Sequence, residues 1–510
     1  MRLQVTVCLV VLVGGCSSVR TSEGSPTPEL QVVRSASSRP PVELPEPRQR
    51  GTEGWRVKGA PHGNDIEGFT TRPSGPPGTG IAVKVSTAAR SYRVLAYRLG
   101  SYVGGSGHLV WRSGRLPGRV QSASTFAPYE TRTVVTDWDV DVTVDTTGWT
   151  PGFYVLKLRP RAGHSYQIPY VVSSPTADGK VVLVAPVTTW QAYNIWGGYS
   201  LYDGPPGDRR SHAVSFDRPY SGVLGANDFR TAVVPIVLAA ERLGVPLAYL
   251  TSVDIHADAT ALVGARGYVS MGHDEYWTPA MRQHVTAARD RGTNLAFLGA
   301  NTMYWRVRLE ARGGAGHRTM VGYRHSAHLD PLRESDPTAS TSRFRDEPAA
   351  DGENDLVGML YECYPVDTDY RVVSPTWWGF RGTGVRHGSR IHGLVGPESD
   401  RVYPDASTPR PLQVLSHSTF DCRGAGTSTQ SVYYTTPSGA GVFTAGTLRW
   451  GCALVDRCER PLGRATRRFA QRVTANVIRA FAQGPVGLRH PATDNVADFD
   501  LPLLNGVSAS

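Results

Sequence analysis

The sequence predicts two folded modules in tandem, an immunoglobulin-like β-sandwich and then a doubly wound α/β domain of the flavodoxin or glutaminase kind with a β-rich insertion. Three observations predict this. Hydrophobicity alternates with period two from about residue 79 to 174, a strand–helix–strand rhythm runs from 180 to 298, and that rhythm gives way to β-rich sequence from 325 to 460.

The elements follow in chain order. Arg2 gives a positive start, Leu3 to Val13 form an apolar run broken only by Gln4 and Thr6, and Val13-Gly14-Gly15-Cys16 sets small residues before a cysteine. The run is too short to cross a hydrocarbon core of ~30 Å as a helix, so residues 1–16 read as a cleaved lipoprotein signal. Cys16 is then the lipid-bearing N-terminus, and the protein is expected at the extracytoplasmic face of the cell membrane. Residues 17–52, rich in Ser, Pro, Glu and Arg without apolar periodicity, read as a disordered tether.

Residues 53–175 are expected to form the sandwich. Ile81, Val83 and Val85 alternate with polar residues, and the runs 92–97, 133–135, 153–158 and 166–172 follow between Gly/Pro-rich turns such as 148–152. Residues 176–490 are expected to form the α/β domain. The continuous apolar run 180–186 reads as a strand buried on both faces. A helix from Asp228 to Leu243, with Asp228 as its cap, is closed by Gly244; Pro235 in its second turn moves the regular part later. Strands at 245–251, 267–271 and 294–298 flank a helix that Thr278-Pro279 opens and Gly292 closes. The segment 464–483 reads as a closing helix, and 491–510 as a C-terminal tail.

The net charge of +10 does not predict nucleic-acid binding. Lys58, Lys84, Lys157 and Lys180 are the only lysines among 54 basic residues, and the arginines are scattered among acids along the chain. Four cysteines remain after the signal, and in an oxidising compartment they read as two disulfides. Three connectivities are open; Cys452 and Cys458 are close enough in sequence to staple one loop, which would leave Cys363 with Cys422, and without a CxxC pair a zinc site has little support.

Open α/β sheets bind ligands beyond the C-terminal ends of their strands. That rule selects residues 188–198 after the first strand, 272–277 after the third and 299–305 after the fourth, loops that gather Trp, Tyr, His, Asp, Glu and Asn among glycines. Trp190, Trp196, Trp277 and Trp305 read first as packing aromatics, and Asp274 as a helix cap or a catalyst. His273 and Glu275 suit acid–base work or metal ligation. Asn301 orients substrate or closes a turn, and Glu398 is a further candidate from the β-rich part. GxSxG, HExxH, P-loop and GxGxxG signatures are all absent from the sequence.

Thr189-Trp190-Gln191-Ala192-Tyr193-Asn194 with Trp196-Gly197-Gly198, the segment 215–219, Gly272-His273-Asp274-Glu275-Tyr276-Trp277 and Gly299-Ala300-Asn301-Thr302 with Tyr304-Trp305 resemble the large (β) subunit of N,N-dimethylformamidase and its relatives, over about 180 to 485. The resemblance implies amide hydrolysis at a mononuclear iron held by two tyrosines and one glutamate. Glu275 matches the glutamate and Tyr193 the first tyrosine. The best register puts Phe216 at the second, with Tyr202 or Tyr220 as replacements. Phenolate and carboxylate are hard oxygen donors suited to ferric iron.

The leading expectation is therefore a surface-tethered hydrolase of amide-type C–N bonds acting on a small molecule, with His273, Glu275, Asn301 and Glu398 as catalytic candidates. The alternative is a non-catalytic envelope protein that binds a cell-surface glycan through its pocket and sandwich. A third reading, carbohydrate hydrolysis by Glu275 and Glu398 alone, requires carboxyl groups about 5 to 9.5 Å apart.

Overall fold

The computed structural model describes residues 49–57, 65–206, 210–221, 226, 228–455 and 457–503. The signal, Cys16 and the tether up to residue 48 lie outside the described residues. The last tether residues are ordered, contrary to expectation. Gly51 N–H donates to the Val103 carbonyl at 2.9 Å and Thr52 N–H to that of Gly107 at 2.7 Å, which fastens the chain to an open strand edge before the fully buried Trp55.

Residues 67–172 build two sheets face to face. Glu67–Thr70, Ile81–Ser86 and Val142–Val144 make one, and the other centres on Ser91–Tyr102, Gly152–Pro160 and Tyr166–Val172. Alternate residues such as Val83, Val94, Leu156 and Ile168 fill the space between them, while Leu95, Tyr97, Phe153 and Val155 face the next module. A half-buried Arg98–Glu241 pair at 2.8 Å joins the two.

The second module is organised by one sheet of seven strands. They are β1 (Val181–Ala185), β2 (Leu247–Thr251), β3 (Gly267–Met271), β4 (Asn294–Leu298), β5 (Leu412–Cys422), β6 (Ala425–Thr435) and β7 (Gly441–Thr444), in the order β2-β1-β3-β4-β7-β6-β5. The first five strands in that order are parallel, and β6 and β5 extend the sheet antiparallel. Both faces are covered. Helices α1 (Val187–Tyr193), α2 (Val234–Glu241), α5 (Arg449–Ala453) and α6 (Arg464–Phe481) pack on the face of Leu183, Val269 and Leu298, whereas α3 (Ser252–Ala257) and α4 (Pro279–Asp290) cover that of Val184, Tyr268 and Phe297.

Two expected caps are different. Asp228 caps nothing; a π turn over Phe229–Val233 precedes α2, because Pro235 has no N–H and fits only the first helical turn. Thr278 alone caps α4, accepting from Met281 N–H at 3.1 Å, while Asp274 accepts the Ser270 hydroxyl at 2.7 Å. Helix α3, held by a Thr251–Asp254 capping box, was not expected. Both cysteine pairs are disulfides as expected, Cys363–Cys422 and Cys452–Cys458. No helix among the described residues is long and apolar enough to cross a membrane.

Candidate functional site

The chain leaves β1 for β2 on one side and reaches β3 on the other, so the strand order reverses between β1 and β3. In open α/β sheets this is where the loops at the C-terminal strand ends diverge. Tyr193 ends α1, directly after β1, and Tyr202 follows in the next loop. Glu275 lies in the loop after β3, and Asn301 in the loop after β4.

These four side chains meet. The Tyr193 hydroxyl stands 2.7 Å from Glu275 Oε2 and 2.8 Å from the Tyr202 hydroxyl, and the Tyr202 hydroxyl stands 2.9 and 2.8 Å from the two Glu275 oxygens. Tyr276 adds a third hydroxyl, 2.8 Å from that of Tyr202. The Asn301 side-chain amide donates to Glu275 Oε1 at 3.2 Å, and its backbone N–H donates to Asp400 at 2.8 Å. Asn301 therefore closes a turn, at φ 55°, and also orients a carboxylate.

The loops are held before any side chain acts. A single hydroxyl, on Thr189 of α1, accepts the backbone N–H groups of Glu275 at 3.0 Å and Tyr276 at 3.3 Å. Gly272 sits at φ 75°, and a Cβ on Gly299 would overlap the Gly272 carbonyl oxygen, so the loops after β3 and β4 touch backbone to backbone.

His273 Nε2 lies 3.4 Å from Glu275 and 3.3 Å from Glu398, bridging two carboxylates. Burial opposes its charged form, but Glu398 and Glu275 outweigh burial and hold the pKa up at about 10. Glu398 is fixed from the loop after β7, where Leu448 N–H donates to its carbonyl at 3.2 Å. Burial raises the Glu275 pKa, which His273 partly offsets. Burial and then Glu275 push both the Tyr193 and Tyr202 phenols well above their usual range, so without a cation both are neutral. Behind Asn301, burial lifts Asp400 to about 8.

Phe216 is not part of this cluster. It is buried in the core beyond the strand Ala213–Ser215, with the Arg318 guanidinium 5.7 Å from its ring centre. Of the two replacements, Tyr202 reaches Glu275, whereas the phenol of Tyr220 lies against Trp190 and Gln191. The four tryptophans pack: Trp277 and Trp305 are core, Trp190 meets Phe229 edge to face, and Trp196 donates to Glu67 at 2.7 Å.

Sequence reasoning missed Tyr276, Asp400 and Arg324. The Arg324 guanidinium covers the Tyr202 ring at 3.8 Å and the Trp305 ring at 4.8 Å, placing a fixed positive charge beside the oxygen cluster. No local pattern marks it, since it comes from a turn more than a hundred residues from Tyr202. Outside the cluster, a cavity of about 620 Å³ reaches the edge of Tyr202, lined also by Asp203, Arg210, His212 and His328.

The donor set is three hard oxygens, two phenols and one carboxylate. Fully deprotonated they carry three negative charges and match a hard trivalent cation, whose field would reverse the preference of both phenols for their protons. Cys452, Cys458 and Glu459 also lie close together, but the two sulfurs are joined to each other and offer no thiolate.

Residues 93–460 match the family described as N,N-dimethylformamidase beta subunit-like, C-terminal, so the match takes in much of the sandwich as well as the large sheet. No curated protein matches the chain.

Proposed function

The chain belongs to the N,N-dimethylformamidase beta subunit-like family, and from that premise we propose that it hydrolyses amide-type C–N bonds outside the cytoplasm, held at the membrane by lipid on Cys16. The observation that carries the reading is the meeting of the Tyr193, Tyr202 and Glu275 oxygens within 2.9 Å of one another at the point where the strand order reverses. These three residues would hold ferric iron. When bound, such an ion supplies Lewis acidity, polarising the amide carbonyl and making water acidic enough to attack.

The other residues have separate tasks. His273, between Glu275 and Glu398, holds a proton within reach of the oxygen cluster. As water adds to the carbonyl carbon and the C–N bond breaks, that proton passes to the leaving nitrogen, and the proton lost by water returns through Glu398. Acid and amine are the products, and the relay is restored. Asn301 keeps one Glu275 oxygen in place, and Arg324 pins the Tyr202 ring. The cavity at Tyr202 provides the approach for a small amide.

Elemental analysis of the purified protein tests the ligand set. Near-stoichiometric iron is expected, lost in Tyr202→Phe and Glu275→Ala and kept in Phe216→Leu. Metal-free protein that releases amine from small amides at the same rate would overturn the iron.

A further inference from the structure

Helix α6 carries a strongly cationic surface. Its 18 residues include five arginines and no acid. Arg464, Arg468, Arg472 and Arg479 all lie on its exposed side, within an arc of about 80° at 100° per residue, while Phe469, Val473, Val477 and Phe481 bury the opposite side. None of these four guanidinium groups has an ion pair or hydrogen bond among the described residues. Buried Arg449 and Arg282 elsewhere in the domain are matched by acids, the first with Asp367 and Glu459 and the second with Asp351 and Asp355.

Arg468, Arg472 and Arg479 line a groove of about 730 Å³ between α6 and the segment 382–391, and Arg464 lies one turn before them on the same side of the helix. No carboxylate lines it. Arg386 and Arg390, in the same segment but outside the lining, are exposed as well. We propose that this groove binds a linear polyanion of the polyol-phosphate type, a surface function separate from the site at Glu275.

Charge complementarity selects an anion, and the form of the groove selects its shape. The helix backbone rises about 6 Å from Arg464 to Arg468 and again to Arg472, and about 10 Å from there to Arg479, a ladder suited to charges spaced along an extended chain. Each arginine offers a planar fork to the two free oxygens of a phosphodiester. Between the arginines the lining is Val385, Ile391, Ala465 and Ala475 with only Thr383 and Gln471 as neutral polar side chains, which suits short hydroxylated carbon linkers better than the full hydroxyl set of successive acidic sugar rings. Nucleobases need exposed aromatic platforms, and the one ring in the lining, Phe469, is buried. A bilayer favours apolar side chains that insert, and none of the large exposed hydrophobic residues belongs to α6.

The test is a binding titration of the purified full chain with fluorescent poly(glycerol phosphate), alongside polygalacturonate, oligothymidylate of equal charge and phosphatidylglycerol vesicles. Saturable binding to poly(glycerol phosphate) is expected, with a slope of log K against log salt of about −3 if four arginines engage. Arg468→Glu/Arg472→Glu/Arg479→Glu should lose it at least a hundredfold, and the corresponding glutamine variant should weaken it with an unchanged melting curve. Undiminished binding in both variants, no saturable binding at low salt, or tighter binding to any of the other three probes would overturn the proposal.

Discussion

The sandwich core and the polar cluster above the large sheet are buried to a similar depth with opposite chemistry. Between the sandwich sheets, Val83, Val94, Leu156 and Leu158 meet one another, and nothing charged is enclosed with them. In the polar cluster, Asp274, Glu275 and Asp400 are 1%, 3% and 1% exposed, beside a histidine and three phenols. Burying ionisable groups costs free energy that apolar side chains in the same volume would not. A fold that encloses so many in one place gives up stability for a local field, and the sandwich shows that the same chain builds an ordinary core where no chemistry is needed.

Substitutions can sharpen or break that contrast. The largest expected effect is His273→Gln, with amine release falling about 10²- to 10⁴-fold while iron content and melting temperature hold, as measured by steady-state kinetics and elemental analysis. Equal activity would remove the proton-relay role. Next, Leu156→Ala in the sandwich should cost about 3 kcal/mol in urea unfolding and leave the rate of the folded protein intact. A loss of rate without a loss of stability would mean that the sandwich takes part in the chemistry.

The smallest change concerns pH. Asp400 has a folded pKa of about 8 against an ordinary 3.8, so the folded state binds its proton more tightly than the unfolded chain does. Its contribution is complete below pH 3.8 and is lost as pH rises toward 8. Asp400→Asn, which keeps an oxygen for the Asn301 N–H, should flatten the decline in unfolding midpoint across that window. An unchanged decline would assign it to other groups.

Much of the architecture was legible because it depends on short-range pattern. Strands 267–271 and 294–298 are found where continuous apolar runs end at glycines, and α4 where Thr278-Pro279 opens a helix. Tyr193, Glu275 and Asn301 were legible too, since the ligand-binding edge of a parallel sheet follows from strand direction alone. The second phenol was not. Register favoured position 216, yet the loop between α1 and the strand Ala213–Ser215 folds back and delivers Tyr202, a path set by tertiary packing under Arg324. The contribution of β5, β6 and β7 to the main sheet was hidden for a similar reason, because strands added from a distant segment, β7 parallel and β6 and β5 antiparallel, leave no strand–helix rhythm behind. Charge misled in another way. Arginines spread evenly in sequence still line up on α6, since helical spacing gathers every fourth residue.

The contact between Gly272 and Gly299 also limits how this site could diversify. Trp305 N–H donates to the Glu275 carbonyl at 2.9 Å and Met303 N–H to that of Asp274 at 2.9 Å, so the two loops are zipped into one rigid lip. Insertions or larger residues on that lip would tear the Glu275 carboxylate from its neighbours. Variation in what the protein accepts is therefore expected on the facing shore, around Asp203, Arg210 and His328, where side chains border open volume and the backbone is not locked to a partner strand.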